Sequence, residues 1–185
     1  MEAPAVTRRR RPFLAPLWLI LLATLTVGAI AWNVYRSAGT TLVVLVRSPD
    51  RQPGTIADPP VSADGEARAQ RLARLFGQSG SAGGLEAIYA SDDRRAQQTV
   101  APLAERLHRA PVIFSAGDIG AATARVLREH GGGTVLVIGA GDSVEQMAHV
   151  LAGADAARAV ASDPDALYIV SIPSFGHAQL LRVNF

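Results

Sequence analysis

The chain has 185 residues, 49% of them hydrophobic and 18% charged, with no cysteine and a formal net charge of +2. That length suits one domain of ordinary size plus an extra segment, and the composition excludes wholesale disorder. The missing cysteine excludes a disulfide framework, a thiolate zinc site and a cysteine nucleophile. All 18 basic residues are arginine, and Arg8, Arg9, Arg10, Arg11 and Arg36 precede residue 37, where the only acid is Glu2. The rest of the chain holds 13 arginines against 15 acids. The basic excess therefore belongs to the N-terminus, and a nucleic-acid-binding body, which needs a basic face, is disfavoured.

From Phe13 to Tyr35 the chain runs 23 residues without a charge. A helix needs about 20 such residues to cross a hydrocarbon core of roughly 30 Å, and a buried core helix would be shorter and carry a polar stripe. Trp32 and Tyr35 lie where an interfacial aromatic belt would form. The arginines before the segment outnumber Arg36 after it, which places the N-terminus in the cytoplasm and the remainder outside. The expected organisation is a basic cytoplasmic segment (1–12), a transmembrane helix (13–35), a linker (36–39) and an extracytoplasmic domain (40–185). Arg10-Arg11-Pro12-Phe13-Leu14 also resembles a twin-arginine export signal, with Ala29-Ile30-Ala31 as a small-residue cleavage site. Either reading puts the body on the same side of a cell membrane.

Thr40–Val46 is a β-branched apolar run suited to a strand buried in a parallel sheet. A Pro- and Asp-rich loop follows, and Ser62 caps a helix whose inner face is Ala67, Ala69, Leu72, Ala73, Leu75 and Phe76. Gly80–Gly84 breaks it before a strand at 85–89. Ser91 opens a helix to about His108. A strand at 111–114 leads to a helix over 119–130, ended by Gly131, Gly132 and Gly133. Thr134–Ile138 is another buried strand, and a helix runs from about Asp142 to Leu151. Two alternating runs, 167–172 and 179–183, close the chain as strands, the second at an edge. Strands alternating with helices imply a three-layer α/β domain with a mostly parallel central sheet covered on both faces.

Ligands bind such sheets at the carboxyl ends of the strands. Three loops occupy that rim: Arg47-Ser48-Pro49-Asp50-Arg51, Ser91-Asp92-Asp93-Arg94-Arg95 and Gly139-Ala140-Gly141-Asp142-Ser143. Arginines at adjacent strand ends form a fork suited to phosphate, while the blander reading has them capping helices or pairing with acids. Gly139-Ala140-Gly141 hints at a dinucleotide loop, but Val144 stands at the third glycine position. There is no lysine for a P-loop and no nucleophile elbow.

Four stretches resemble the histidine phosphatase superfamily, the phosphoglycerate-mutase-like fold. TLVVLVRSPDR stands where that family has a strand ending in Arg-His-Gly or Arg-His-Ala-Glu. VSADGEARAQRLARLF is similar to its Leu-Ser-x-x-Gly helix start. AIYASDDRRAQQTVAPLAERL is similar to its Ile-Tyr-x-Ser-x-x-x-Arg-Ala-x-x-Thr segment. GGTVLVIGAGDSV stands where the family has a strand ending in Gly-His. The matches run in family order over nearly all of residues 40–185. The resemblance implies that Arg47 and Arg95 are phosphate-binding arginines. It also implies that Ser48 occupies the position of the phosphorylated histidine, and Ala140 that of the second pocket histidine.

Those replacements shape the functional expectation. A neutral imidazole attacks phosphorus without help, whereas a serine hydroxyl needs an adjacent base, and Ala140 supplies none. Pro49 further restricts Ser48. His108, His130, His149 and His177 fall away from predicted strand carboxyl ends and read as solvated surface. Asp50 and Asp142 are possible metal ligands, yet acids here more often cap helices, and Asp142 is placed to do so. Asp50 and Asp118 are the candidate proton donors. The leading expectation is a membrane-anchored, catalytically inactive domain with no catalytic residues, metal or cofactor. It would bind a phosphorylated or anionic ligand, or a protein partner. The alternatives are an active phosphohydrolase using Ser48 or a metal-activated water, and a purely structural partner-binding ectodomain.

Overall fold

The computed structural model describes residues 15–37, 39–48, 60–77, 84–163 and 165–184. The arginines before residue 12, Pro49, Asp50, Arg51 and the glycine break at 80–83 lie outside the described residues. Two units result, Met1–Arg36 and Ser37–Phe185. In the first, α1 spans Ala15–Ser37, so the expected apolar segment is helical over its described part, residues 13 and 14 lying outside the described residues. Among the described residues no helix is long and apolar enough to cross a membrane. The side chains described in α1 run only from Trp18 to Trp32, about 22 Å of helix at 1.5 Å per residue, and all are exposed.

The second unit is built on a six-stranded sheet: β1 (Thr41–Arg47), β2 (Leu85–Ser91), β3 (Val112–Phe114), β4 (Thr134–Gly139), β5 (Leu167–Ile172) and β6 (Gln179–Val183). Its order is β3-β2-β4-β1-β5-β6. β1 to β4 are mutually parallel, β5 is antiparallel to β1, and β6 is antiparallel to β5. The sheet is therefore mixed, with only β5 running against the rest, and β6 is an edge as its alternating pattern implied. The helices are α2 (Ala63–Phe76), α3 (Arg94–Leu107), α4 (Ile119–Glu129), α5 (Gly141–Ala152) and α6 (Ala154–Ser162), with a 3-10 turn at Ala116–Asp118.

Alternation along β1 explains the three layers, because successive side chains of a strand point to opposite faces. Val43 and Leu45 pack with Ile119 and Val126 of α4, Val144 and Met147 of α5, and Val160 of α6. Val44 and Val46 pack with Leu72 of α2 and Val100 and Leu103 of α3. A strand apolar on both faces is buried on both faces.

Four local expectations are corrected. In α2 the buried residues are Gly65, Arg68, Ala69, Leu72 and Ala73, while Ala67 and Leu75 face solvent. The true stripe follows i, i+3, i+4, i+7 from Gly65, and Arg68 is admitted because its guanidinium reaches Asp165 at 2.9 Å and that residue's carbonyl at 2.7 Å. Asp93, not Ser91, caps α3: β2 runs on to Ser91, and the Asp93 carboxylate accepts the Ala96 N–H at 2.9 Å. α5 begins one residue earlier than expected, leaving Asp142 inside its first turn and Ala140, with no polar side chain, at the cap position. Finally, α6 has no counterpart in the sequence reading, being only nine residues long with Gly153 at its cap.

Candidate functional site

The rim is the carboxyl end of β1, β4 and β2, where backbone groups leave the sheet. Arg47 is the last residue of β1 and shares the face of Val43 and Leu45, so its side chain goes to the α5–α6 layer. There Nη1 donates to Glu145 Oε1 at 3.1 Å and to the Val160 carbonyl at 3.5 Å. Arg47 also lies over the start of α5: a Cβ on Gly141 would stand 2.3 Å from its Nη2. Glycine at 141 thus lets the guanidinium lie against the start of α5, and a larger residue there would push the Arg47 side chain aside. Gly139 is less crowded: its Cβ would stand 3.3 Å from Ser91 Oγ.

Ser48 follows, its N–H donating to the Gly139 carbonyl at 2.8 Å as an extension of the β1–β4 pairing. Its Oγ is buried and has no hydrogen-bond partner among the described residues. Across β4, the Ser91 hydroxyl donates to the Asp93 carboxylate, which at the same time caps α3. Arg95 lies half-buried in the first turn of that helix, and its carbonyl accepts from Thr99 Oγ1 at 2.7 Å. The two arginines are not on neighbouring strands, as expected from sequence. β4 separates β1 from β2, so Arg47 and Arg95 flank the Ala140 turn from strands about 10 Å apart.

Asp118 is not part of this arrangement. It precedes α4 beyond the edge strand β3, three strands from β1, in a cleft of about 230 Å³ shared with Tyr89 and Arg125. Asp50 lies outside the described residues. Among the described residues no three of His, Asp and Glu stand together as metal ligands.

All four histidines lie at the other end of the sheet. His108 ends α3 in the left-handed region at φ 49°, His130 follows α4, His149 is in the last turn of α5 and His177 is in the β5–β6 turn. His130 is not simply solvated. It is half-buried, with its ring edge-on to Tyr89 at 5.9 Å between centroids. Two pairings were missed in the sequence, Arg47–Glu145 and Ser91–Asp93. Glu145 stands one turn past Gly141, but only the strand order brings Arg47 beside it.

Comparison with known proteins identifies this arrangement. The domain is a three-layer α/β fold of phosphoglycerate-mutase type, shared with solved structures at low identity. The protein histidine phosphatase SixA complexed with tungstate matches with a TM-score of 0.58 and 18% identity, covering 77% of this chain and 96% of its own. A mycobacterial glucosyl-3-phosphoglycerate phosphatase matches at 0.60 and 14%, over 78% of this chain and 99% of its own. A phosphoglycerate mutase from Plasmodium falciparum matches at 0.56 and 17%, over 78% and 91% respectively. No curated protein matches the chain. The family model described as the histidine phosphatase superfamily (branch 1) matches residues 47–117, which include Arg47, Ser48 and Arg95. The motifs, the family model over residues 47–117 and the shared fold agree in likening this domain to the histidine phosphatase superfamily.

Proposed function

We propose that this chain is a membrane-anchored, catalytically silent histidine-phosphatase-fold protein. Its rim binds a phosphorylated or otherwise anionic ligand, or a protein partner carrying such a group, through Arg47 and Arg95. The observation that carries the reading is the distribution of imidazoles. Ser48 and Ala140 stand where the resemblance implies the two pocket histidines, and all four histidines of the chain lie at the opposite end of the sheet. A general base must come within about 2.6–3.2 Å of the proton it removes, directly or through one water. Ser48 Oγ has no such neighbour among the described residues. What the rim retains is cationic: Arg47 beside the uncapped start of α5, a place that favours an anion.

Arg47 already has a carboxylate, that of Glu145. An anion must share or displace that partner, so binding is weaker than an open guanidinium fork would allow. The test is a thermal shift on the full chain in detergent, titrated with phosphate and vanadate. A ligand of the folded state alone stabilises by RT ln(1 + [L]/Kd), about 2.7 kcal/mol at a hundredfold excess over Kd. A saturable shift abolished by Arg47→Ala is expected; no shift at any concentration sinks the ligand-binding reading.

One observation favours a second reading, an active phosphohydrolase. The buried, unpartnered Ser48 hydroxyl at the rim is what an idle nucleophile would look like. That reading requires phosphomonoester hydrolysis lost in Ser48→Ala, whereas the silent reading requires none at high protein concentration.

Membrane anchoring is supported by the 23-residue α1, whose described side chains carry no charge, and by the flanking arginines. The domain then lies outside the cytoplasm. Resistance to alkaline extraction, with protease sensitivity of the domain only from the outer side, is expected. A chain extracted with the peripheral proteins refutes the anchor.

A further inference from the structure

Away from the rim, the cleft of about 230 Å³ between β3 and α4 is lined by Tyr89 of β2. Tyr89 is 1% exposed, and its hydroxyl has no hydrogen-bond partner among the described residues. A buried polar group left unpaired is uncommon in a folded chain. Its ring packs in the layer of Ala122 and Val126 of α4. The charges that act on the hydroxyl also lie on α4. Burial holds its pKa above the usual phenol value, Arg125 opposes this, Glu129 adds to it and Arg128 opposes it. The hydroxyl therefore points from β2 toward α4, and Arg125 lines the same cleft. All three residues of β3 line it too, although their side chains alternate between faces, so the cleft follows the backbone edge of that strand. The Phe114 carbonyl accepts the Asp92 N–H at 2.9 Å on the β2 side. Successive residues turn their N–H and C=O to opposite edges, so those of Ile113 face outward.

The facing wall is one stripe of α4: Asp118, Ala121, Ala122 and Arg125 stand at i, i+3, i+4 and i+7, with two small residues between the charged ends. Asp118 makes no side-chain cap hydrogen bond. Arg125 Nε donates to Glu129 Oε2 at 3.0 Å, on the side away from Asp118, which leaves its terminal nitrogens for a further acceptor. At a rise of 1.5 Å per residue, Asp118 and Arg125 stand about 10.5 Å apart along the helix. We propose that this cleft is a second binding site, for a small apolar molecule with a carboxylate at one end and an ammonium at the other. The carboxylate accepts from Tyr89 Oη and the terminal nitrogens of Arg125. The apolar body lies on Phe114, Ala121 and Ala122, and the ammonium donates to Asp118. The charges of Asp118 and Arg125 cancel, so a zwitterion matches them, whereas a phosphate dianion would bring two negative charges beside Asp118 and Glu129. An α-amino acid carries both charges on one carbon and cannot reach both ends, so the class is an ω-amino acid with a rigid middle. An apolar cavity of about 150 Å³ holds benzene, so about 230 Å³ admits a benzene ring with a short group at each end. The site does not depend on the rim, because β2 and β4 stand between β3 and β1.

The test titrates 4-(aminomethyl)benzoate onto the full chain in detergent, read by thermal shift and by ligand-observed NMR. Saturable binding is expected, and it should persist in Arg47→Ala. Tyr89→Phe should weaken it about tenfold, the loss of one hydrogen bond to a charged group. Arg125→Gln should weaken it several-fold. Benzoate and benzylamine, each lacking one charged end, should bind more weakly than the parent probe. No saturable binding to the unaltered chain overturns the site. Binding of unchanged strength in Tyr89→Phe or in Arg125→Gln overturns it as well. Binding lost in Arg47→Ala would assign the probe to the rim and sink the second site. Phenylalanine keeps the buried ring and Arg125 is exposed, so neither substitution threatens folding, and the unliganded midpoint of each variant checks this.

Discussion

The two ends of the central sheet are made of the same strands and the same helices, yet they carry different chemistry. At the carboxyl end, polar groups are drawn into local pairs: Arg47 with Glu145, Ser91 with Asp93, and the Asp93 carboxylate with the first turn of α3. At the amino end lie the histidines, a glycine run and an exposed phenylalanine. A parallel sheet provides backbone amides and helix N-termini at its carboxyl end only, which is why ligands are held there. An imidazole moved to the other end meets helix C-termini instead and is out of reach of any anion bound at the rim. On the proposed reading, phosphate recognition and phosphoryl transfer are separable on this fold: the arginines proposed to recognise are placed by strand ends, while the groups that would transfer are two replaceable side chains.

The strand joining the two ends offers the largest effect. Leu45 lies fully buried in the middle of β1. Leu45→Ala leaves a cavity, and such changes cost about 2–5 kcal/mol. Because β1 positions both Gly39 and Arg47, thermal unfolding of this variant should remain one transition and fall in temperature. Loss confined to one end, read by hydrogen exchange, would mean the ends are independent.

Chemistry at the rim can be restored in principle. Ser48→His with Ala140→His returns imidazoles to the positions where the resemblance implies them. We expect slow hydrolysis of an aryl phosphate, absent from the parent chain and lost again on adding Arg47→Ala. Activity that survives the arginine change would come from somewhere other than the rim.

The Glu145 pairing predicts a change of opposite sign. Glu145→Gln removes the internal carboxylate from Arg47, so phosphate should bind several-fold more tightly in the thermal-shift titration. Stability itself should move little, since both groups are partly solvated and such pairs contribute about 0.2–1 kcal/mol. Unchanged or weaker phosphate binding would mean that Arg47 is not the anion's partner.

Much of this was legible in the residues, for reasons specific to each element. β5 and β6 fall on the residues expected of them, β5 packed on both faces of the sheet and β6 more exposed at its edge. Ser62 was legible as a cap, and its hydroxyl accepts the Gly65 N–H at 3.2 Å. The residues singled out by the family motifs, Arg47, Ser48, Arg95 and Ala140, stand at strand ends or helix starts. What escaped was everything that depends on strand order. Nothing local says that β4 inserts between β1 and β2, so neither the separation of the two arginines nor the Glu145 partner is legible in the sequence. Arg68 escaped for a similar reason, its acid lying 97 residues away. In α6 the apolar signal is two residues, Ala156 and Val160, too few to show a period.

The smallest effect links the rim to the layer beneath it. Tyr168 is buried in β5, and its hydroxyl donates to the carbonyls of Ala159 at 2.8 Å and Asp163 at 3.0 Å. Burial holds its pKa above the usual phenol value, the Asp163 charge adds to this, and Arg182 and Arg47 oppose it. A raised folded-state pKa means that the native state keeps a proton the unfolded chain gives up first. The stabilisation is therefore complete below about pH 10 and is lost as the pH climbs through the folded value. Tyr168→Phe should remove that part of the alkaline decline. Arg47→Ala removes an opposing charge, so Tyr168 should titrate at still higher pH, visible in the ultraviolet absorbance of its phenolate. No displacement of the Tyr168 titration would place the Arg47 charge farther from β5 than its bond to the Val160 carbonyl implies.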